Sequence, residues 1–570
     1  MVDTIPHLVL ANAQRFRDEP ALVRRVDGSW QTATWGDYGA LVRQVAQALI
    51  ASGIEAGDRV AIISYNTPEW VVFDVAAMAV GAVPVGIYFS SSAEEIADML
   101  ARSEARIVLA ETAAHIEKIN SVAHPSLELT IGVDDAPGDA IAWTSFLERG
   151  EGVDAGAVDA RLAALRPEDP GTIIFTAAGH GNTVGVVLTH DNLFFTSLSS
   201  IEVSGAGLSD SALSYLPLSH IAEQIFTILA PAQVGYSVAF AQSLGRVRVD
   251  LPEIQPTIFF GVPLVWTGFE RAVRKQIDGL DGYKRKVADW SMAAARRNLA
   301  MRNEGRTPGV FRRAETAIAR RLFTDRARTS MGFSRTKVLY SGAASADPEG
   351  LEYLAGLDLP IRQVYGLSEA TGPSSVTRDG ADRYGTVGYP MPGVEISLAD
   401  DGEILIRGRS VFSSYLDDEE ATRHALRKGW LHTGDVGTMG EDNQLTISGR
   451  KKDIVITTGG KNVCPRALEV LLVEDPAIVD AVVVGDGHDQ LGVLVAVEGE
   501  VGDDPDSALR HVQSAVKSVN QRFARAEQIR RIGLLSRPLS VELGERSEFG
   551  DIDRKVVVDH FTDEIEDLYR

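Results

Sequence analysis

Short aliphatic runs recur along this chain, with room for about one helix between each pair. They read RVAIIS at 59–64, RIVLAE at 106–111, GTIIFT at 171–176 and YSVAFA at 236–241. Continuous apolar runs of this length predict strands buried on both faces, and the helical patterns between them predict α/β layers with parallel strands. The longest apolar stretch, 71–89, approaches the length of a membrane helix. It contains Asp74, Gly81, Pro84 and Gly86, and its second half, VPVGIYF, has strand character. The expectation is a buried helix running into a buried strand, with no transmembrane segment.

Length and composition narrow this further. A chain of 570 residues has room for two or three domains, and a 45% hydrophobic, 24% charged composition is that of an ordinary globular protein. The net charge of −23 argues against nucleic acid as the main partner, and an acidic surface is poorly suited to an anionic membrane. The single cysteine, Cys464, cannot form an internal disulfide, which points to a reducing cytoplasm. The opening MVDTIPHLVLANAQRF lacks the basic-then-apolar order of a signal peptide.

Two departures from the average mark boundaries. Residues 264–330 read as long helices with sixteen Lys/Arg against seven Asp/Glu. This basic insertion is either a solvated helical face or a landing surface for a phosphorylated ligand, with Arg296, Arg297, Arg312 and Arg313 as candidate contacts. A charged link at 449–453, GRKKD, then separates two apolar strand patterns. It predicts an N-terminal domain over 1–449 and a smaller C-terminal domain over 450–570 with its own αβ alternation.

Five segments carry the chemistry. LPLSHIAEQ (216–224), YGLSEATG (365–372), GWLHTGDVG (429–437), GRKKDIVITTGGKNVCP (449–465) and FGDIDRKVV (549–557) occur in this order. Their order and spacing resemble the core motifs of adenylate-forming enzymes, and LPLSHIAE with the long helical insertion is most similar to long-chain fatty acyl-CoA ligases. The resemblance implies a large N-terminal domain of two α/β subdomains plus a β-barrel, with a small mobile α+β C-terminal domain. It implies two half-reactions. ATP and a carboxylate give an acyl-adenylate, and CoA then takes the acyl group and releases AMP. With CoA as the implied co-substrate, its 3′-phosphate is the expected partner of Arg296, Arg297, Arg312 and Arg313.

Residue by residue, the resemblance places the nucleoside on Gly342, Tyr365, Asp435 and Arg450, and the α-phosphate against the Ser368 hydroxyl. Glu369 falls on the magnesium carboxylate, with magnesium itself an open question. His220 sits at the gate between acyl pocket and pantetheine tunnel, Lys452 at the hinge, and Gly459, Gly460 and Lys461 along the tunnel that admits CoA. A carboxylate can accept from two ribose hydroxyls and an arginine can add a charge-assisted contact. Glycines let a thiol arm pass close to backbone.

Two places depart from the family. The phosphate loop, approximately Tyr-Thr-Ser-Gly-Thr-Thr-Gly-x-Pro-Lys-Gly in the family, here reads FTAAGHGNTVG over 175–185. Such a loop binds phosphate through backbone N–H groups, hydroxyls and a lysine charge. Ala177 lacks a hydroxyl, and Val184 stands in the lysine's place; His180 has no assignment. At the C-terminus Asp551 replaces the lysine that would bridge carboxylate and α-phosphate, with Lys555 one helical turn away. Both losses fall on adenylation, while nucleoside, hinge and tunnel positions stand.

That asymmetry is similar to non-adenylating acyl-CoA ligases of platensimycin/platencin-type diterpenoid biosynthesis. The expected reaction is conversion of a preformed acyl-adenylate, possibly of a diterpenoid acid, to acyl-CoA and AMP, with a separate adenylating homologue as partner. The alternatives are a complete ATP-dependent long-chain acyl-CoA ligase with an atypical loop, and an inactive ligand-binding pseudoenzyme.

Overall fold

In the computed structural model, residues 4–177, 183–344, 346–378, 380, 383–456, 458, 462–498, 504–547 and 550–570 are described. The 71–89 stretch divides as its breakers predict. Thr67 accepts a hydrogen bond from the Trp70 amide and Pro68 takes the first helical position, starting the helix Pro68–Ala79. Every residue from Trp70 to Ala79 is buried, Gly81 turns the chain at φ +82°, and the strand Val83–Ile87 follows, buried throughout.

That strand pairs in parallel with Arg59–Ile63 on one side and with Pro170–Ala177 on the other, within an eight-stranded sheet. The all-parallel expectation fails at one edge of this sheet and at both edges of the second. Pro170–Ala177 turns back antiparallel onto Thr183–Thr189, because a parallel crossover needs a dozen or more residues and the connection is far shorter. The helix His190–Ser204 leaves this hairpin through a capping box formed by Thr189 and Asn192.

A second sheet has nine strands among the described residues. Within it Ile258–Gly261 and Val338–Ser341 are parallel neighbours, so the basic stretch is the crossover between them. It is built from the helices Pro263–Asp278, Gly282–Asn303, Val310–Ala319 and Asp325–Met331. Its base is pinned by Trp266, 2% exposed, whose indole N–H donates to the Gly261 and Tyr340 carbonyls. Phe259, Phe269 and Phe333 pack around that indole. Full burial of one such side chain is worth roughly 1.5–3 kcal/mol.

Residues 395–450 form a five-stranded antiparallel sheet where the resemblance implies a barrel. Beyond it, Ile478–Val484, Leu491–Val497 and Ile529–Leu534 make a small sheet with apolar clusters of its own, covered by the helices Pro465–Val473 and Pro505–Asn520. The fold is α/β, a large N-terminal domain of mixed sheets followed by a small C-terminal domain. Among the described residues no helix is long and apolar enough to cross a membrane.

Candidate active site

The signature segments converge on one cavity of about 2430 Å³, running from the second sheet to the C-terminal domain. Its floor is the strand Ile361–Leu367, which turns through Ser368–Ala370 and returns as Gly372–Val376. Two glycines make that hairpin possible. A Cβ on Gly366 would lie 1.8 Å from the Gly372 carbonyl oxygen, and Gly372 sits at φ +92°. The turn brings Ser368 and Glu369 to the cavity wall.

Asp435 and Arg450 are register partners on the antiparallel strands Trp430–Met439 and Leu445–Arg450, with Arg450 Nε 3.5 Å from Asp435 Oδ1. The Tyr365 hydroxyl donates to Asp435 Oδ2 at 2.8 Å. Burial raises the Asp435 carboxyl above its ordinary range against the pull of Arg450 and Tyr365, and Glu369 and Asp551 push it higher. For Arg450, burial works against the charge, but Asp435, Asp551, Asp453 and Glu369 outweigh it and hold the guanidinium protonated. Burial, reinforced by Asp435, keeps the Tyr365 phenol neutral. Gly342 packs instead against Val364 and Phe260, where a Cβ would meet the Val364 carbonyl at 3.0 Å, and its neighbours Ser341 and Ala343 line the cavity.

Glu369 has a partner the sequence did not disclose. The Tyr415 hydroxyl donates to Glu369 Oε1 at 2.8 Å, reaching across from the edge strand Ser414–Tyr415. Among the described residues Glu369 belongs to no cluster of three or more groups able to hold a metal, which suits a magnesium ion carried in on nucleotide phosphates rather than one held by a protein cage.

His220 caps the short helix Ile221–Gln224, its Nδ1 accepting from the Ala222 amide at 3.1 Å. Burial lowers its pKa to about 4, so near neutral pH the ring is uncharged with its proton on Nε2. One turn on, Glu223 accepts from the Leu216 amide and the Thr227 hydroxyl, and burial raises it to about 7. The sequence reading passed over Glu223 within LPLSHIAEQ. Ile221, Ile225, Phe226, Tyr236 and Phe260 continue the wall as an apolar pocket.

Asp551 also faces the cavity, on the loop preceding the helix Arg554–His560. It lies 3.7 Å from Arg466, and its side chain is 46% exposed. Lys555 lines the same rim. Val184 lines the opposite side, paired with Thr176 in the hairpin that carries the phosphate loop. Exposed Lys452 sits in the turn Lys451–Asp453, where its neighbour Lys451 is held by Asp401 at 2.6 Å and Glu403 at 3.3 Å. Gly459, Gly460, Lys461, the loop residues 178–182 with His180, and the Ala177 side chain lie outside the described residues.

The four arginines proposed for CoA have other company. Arg297 and Arg312 both bind Glu315, at 2.6 and 2.8 Å, while Arg296 stands over the Tyr353 ring and Arg313 donates to the Pro308 carbonyl. Among the described residues, none from 264–330 lines the cavity.

Comparison with known proteins agrees with this layout. The AMP-binding enzyme family matches residues 9–416, and the AMP-binding enzyme C-terminal domain matches 452–570. The chain is 34% identical to the long-chain-fatty-acid–CoA ligase FadD15 of Mycobacterium tuberculosis (strain ATCC 25618 / H37Rv), over 97% of this chain and 95% of that one. It is 28% identical to the long-chain-fatty-acid–CoA ligase ACSBG2 of Mus musculus, over 99% and 93%. Among solved structures it is similar to anthranilate CoA ligase AuaEII in complex with anthranoyl-AMP, at TM-score 0.73 and 19% identity over 98% and 97% of the two chains. A Mycobacterium tuberculosis fatty acyl CoA synthetase matches at TM-score 0.66 and 21% identity over 98% and 99%. The chain therefore belongs to the AMP-binding, adenylate-forming enzymes, and within them is built on the plan of the long-chain acyl-CoA ligases.

Proposed function

We propose that this acyl-CoA ligase performs the thioester-forming half of the reaction on an acyl-adenylate supplied by a separate enzyme. The comparisons support the complete ATP-dependent reaction on a fatty acid more strongly, since relatives at 34% identity carry that name. Support for the split reading is confined to this chain. Its single strongest element is Asp551, a carboxylate on the cavity wall where related enzymes direct a lysine at the α-phosphate.

The electrostatics separate the two half-reactions. Two unit charges about 4 Å apart interact by roughly 4 kcal/mol at an effective dielectric near 20, so exchanging lysine for aspartate turns several kcal/mol of attraction into repulsion. ATP carries its charge on three phosphates, and Val184 offers those phosphates no cation. An acyl-adenylate carries one phosphate charge, already masked by its ester and anhydride links. Repulsion from Asp551 therefore falls mainly on ATP.

Thioester formation asks less of the site. The CoA sulfur attacks the acyl carbon, the bond from that carbon to the phosphate oxygen breaks, AMP leaves with the electron pair, and the thiol proton passes to water. The residues present serve that step by holding and orienting. Asp435 would accept from the ribose hydroxyls, Arg450 would oppose the charge left on AMP, and Tyr365 would back the adenine while fixing Asp435. Neutral His220 is a poor base and would act at the gate as a wall and Nε2 donor. Gly459 and Gly460 would admit the pantetheine arm, and Lys452 would take the hinge role. The apolar wall from Ile221 to Phe260 suits a long or bulky hydrophobic acid, a diterpenoid carboxylate among them.

The reading is tested by mixing synthetic acyl-adenylates of fatty, aromatic and terpenoid acids with CoA in ATP-free buffer. Equal yields of acyl-CoA and AMP are expected from at least one. Tight adenylate binding without acceleration across the whole panel would leave a ligand-binding protein instead.

A further inference from the structure

The apolar wall of the cavity contains one turn that is not α-helical. Over Ile225–Leu229 the chain winds as a π-turn between the helices Ile221–Gln224 and Ala230–Val234. The Ala230 N–H donates to the Ile225 carbonyl, five residues back, instead of to the Phe226 carbonyl four back. In this wider register the next donor in line for Phe226 is residue 231, and residue 231 is a proline with no N–H. The helical backbone therefore leaves the Phe226 carbonyl without a donor. The Tyr236 hydroxyl fills that gap, donating to it at 2.8 Å.

What this bond holds in place is a ring. Phe226 lines the cavity, its ring centroid 5.3 Å from that of Phe260 and 5.6 Å from that of Tyr340, which line it too. The chain beyond the turn is pinned. Asn12 donates to the Ala232 carbonyl at 2.7 Å, the Trp35 indole donates to the Gly235 carbonyl at 2.8 Å, and Tyr236 itself is 1% exposed. Before the turn, Ile225 packs against Gly372, where a Cβ would come within 2.5 Å of the Ile225 Cδ1. Burial, reinforced by Glu223, Tyr340 and Asp210, holds the Tyr236 phenol protonated, so it stays a donor.

We propose that Tyr236 is a positioning residue for acyl selectivity, its hydroxyl locking the π-turn and so fixing the Phe226 ring against which the acyl group packs. Single π-turns inside helices are frequent at functional sites. A buried carbonyl left unpaired carries a desolvation cost, so without the hydroxyl the turn would shift to find another donor. Because the chain beyond it is pinned, that shift would fall on the residues that carry Ile225 and Phe226. The proposal rests on the acyl-CoA ligase reading of this cavity, with the apolar branch as its acyl pocket. It holds whether or not adenylation is lost.

The test measures calorimetric affinities of the full chain for two unreactive mimics of an acyl-adenylate, acetyl- and dodecanoyl-sulfamoyladenosine. Wild type should prefer the dodecanoyl mimic, and Tyr236→Phe should lower that preference about fivefold, the factor for one neutral hydrogen bond. Once Phe226→Ala has removed the ring, adding Tyr236→Phe should change the preference by less than about twofold. A tyrosine that served stability alone would lower the melting temperature and leave the preference unchanged. If Tyr236→Phe does not fold, combining it with Pro231→Ala decides the matter, because the new backbone N–H can replace the hydroxyl. A wild-type preference in that folded double variant supports the proposal, and a lowered one overturns it. The proposal is also overturned if folded Tyr236→Phe keeps the wild-type preference, if Tyr236→Phe and Phe226→Ala lower it independently, or if wild type shows none. Failure of the ligase reading would appear separately, as tight binding of the mimics with no acyl-CoA formed from dodecanoyl-adenylate and CoA.

Discussion

Asp551 stands 3.7 Å from Arg466 at the rim of a cavity whose floor holds Asp435 and Arg450. It is near enough to raise the pKa of both floor residues, so the C-terminal loop already faces the nucleoside site in this arrangement. A lysine there would draw a phosphate inward. The aspartate instead adds negative charge to a floor that contains Asp435 and Glu369.

Restoring that lysine alone should be insufficient. Asp551→Lys removes the repulsion but leaves Val184 and the rest of the phosphate loop without ligands for a triphosphate. We expect tighter ATP binding, measured calorimetrically, without measurable acyl-adenylate formation. Adenylation by the single variant would show that the loop tolerates its substitutions.

The nucleoside contacts can be graded. Asp435→Ala should weaken acyl-adenylate binding by roughly 1.5–3 kcal/mol, the range for hydrogen bonds to a charged group. Tyr365→Phe, which removes one donor to Asp435, should cost about 1 kcal/mol, or near fivefold in Kd. Equal losses in the two variants would contradict the assignment of Asp435 as the direct contact.

Tyr415 and Glu369 give a separate test. The residues are 46 positions apart, and their hydrogen bond exists because the edge strand Ser414–Tyr415, paired with Thr183–Thr189, brings Tyr415 to the cavity wall. Tyr415→Phe should lower the rate of thioester formation severalfold through loosened Glu369, on the order of 1 kcal/mol, while the KM for CoA stays constant. A change in KM for CoA alone would place Tyr415 in the tunnel instead.

Domain docking should depend on pH through Glu474. Burial, followed by repulsion from Asp347 and Glu349, raises its pKa to about 7, and Arg522 only partly offsets this from 3.9 Å. The docked form therefore favours the protonated acid. Its contribution to docking is complete below the ordinary value of 4.5 and is lost as pH rises through about 7. A distance probe between the domains should report opening across that window, and Glu474→Gln should flatten the response. Opening with the reverse sign, or an unchanged profile in the variant, would rule this out.

Local chemistry made much of the fold legible. Gly81 and the strand character of VPVGIYF were enough to divide the 71–89 stretch into helix and strand, while Asp74 is carried within the helix and Pro84 and Gly86 within the strand. The hairpin from Pro170 to Thr189 escaped the alternation argument, since a buried strand reads alike in parallel and antiparallel surroundings. At the site, motif order brought forward Asp435, Arg450 and Tyr365, and the structure places all three together. Tyr415, Glu223 and Glu474 stayed hidden. Their significance comes from burial and from partners set by tertiary packing, which no local spacing encodes. The arginines of 264–330 were visible as charge, but their pairing with Glu315 was not.

Carboxylate-dependent exchange of pyrophosphate into ATP measures adenylation alone, the half-reaction that Val184 and Asp551 disfavour. With fatty, aromatic and terpenoid acids in turn, and magnesium present, we predict no exchange above the protein-free background. Clear exchange with any one acid would contradict the account and establish the complete ATP-dependent ligase.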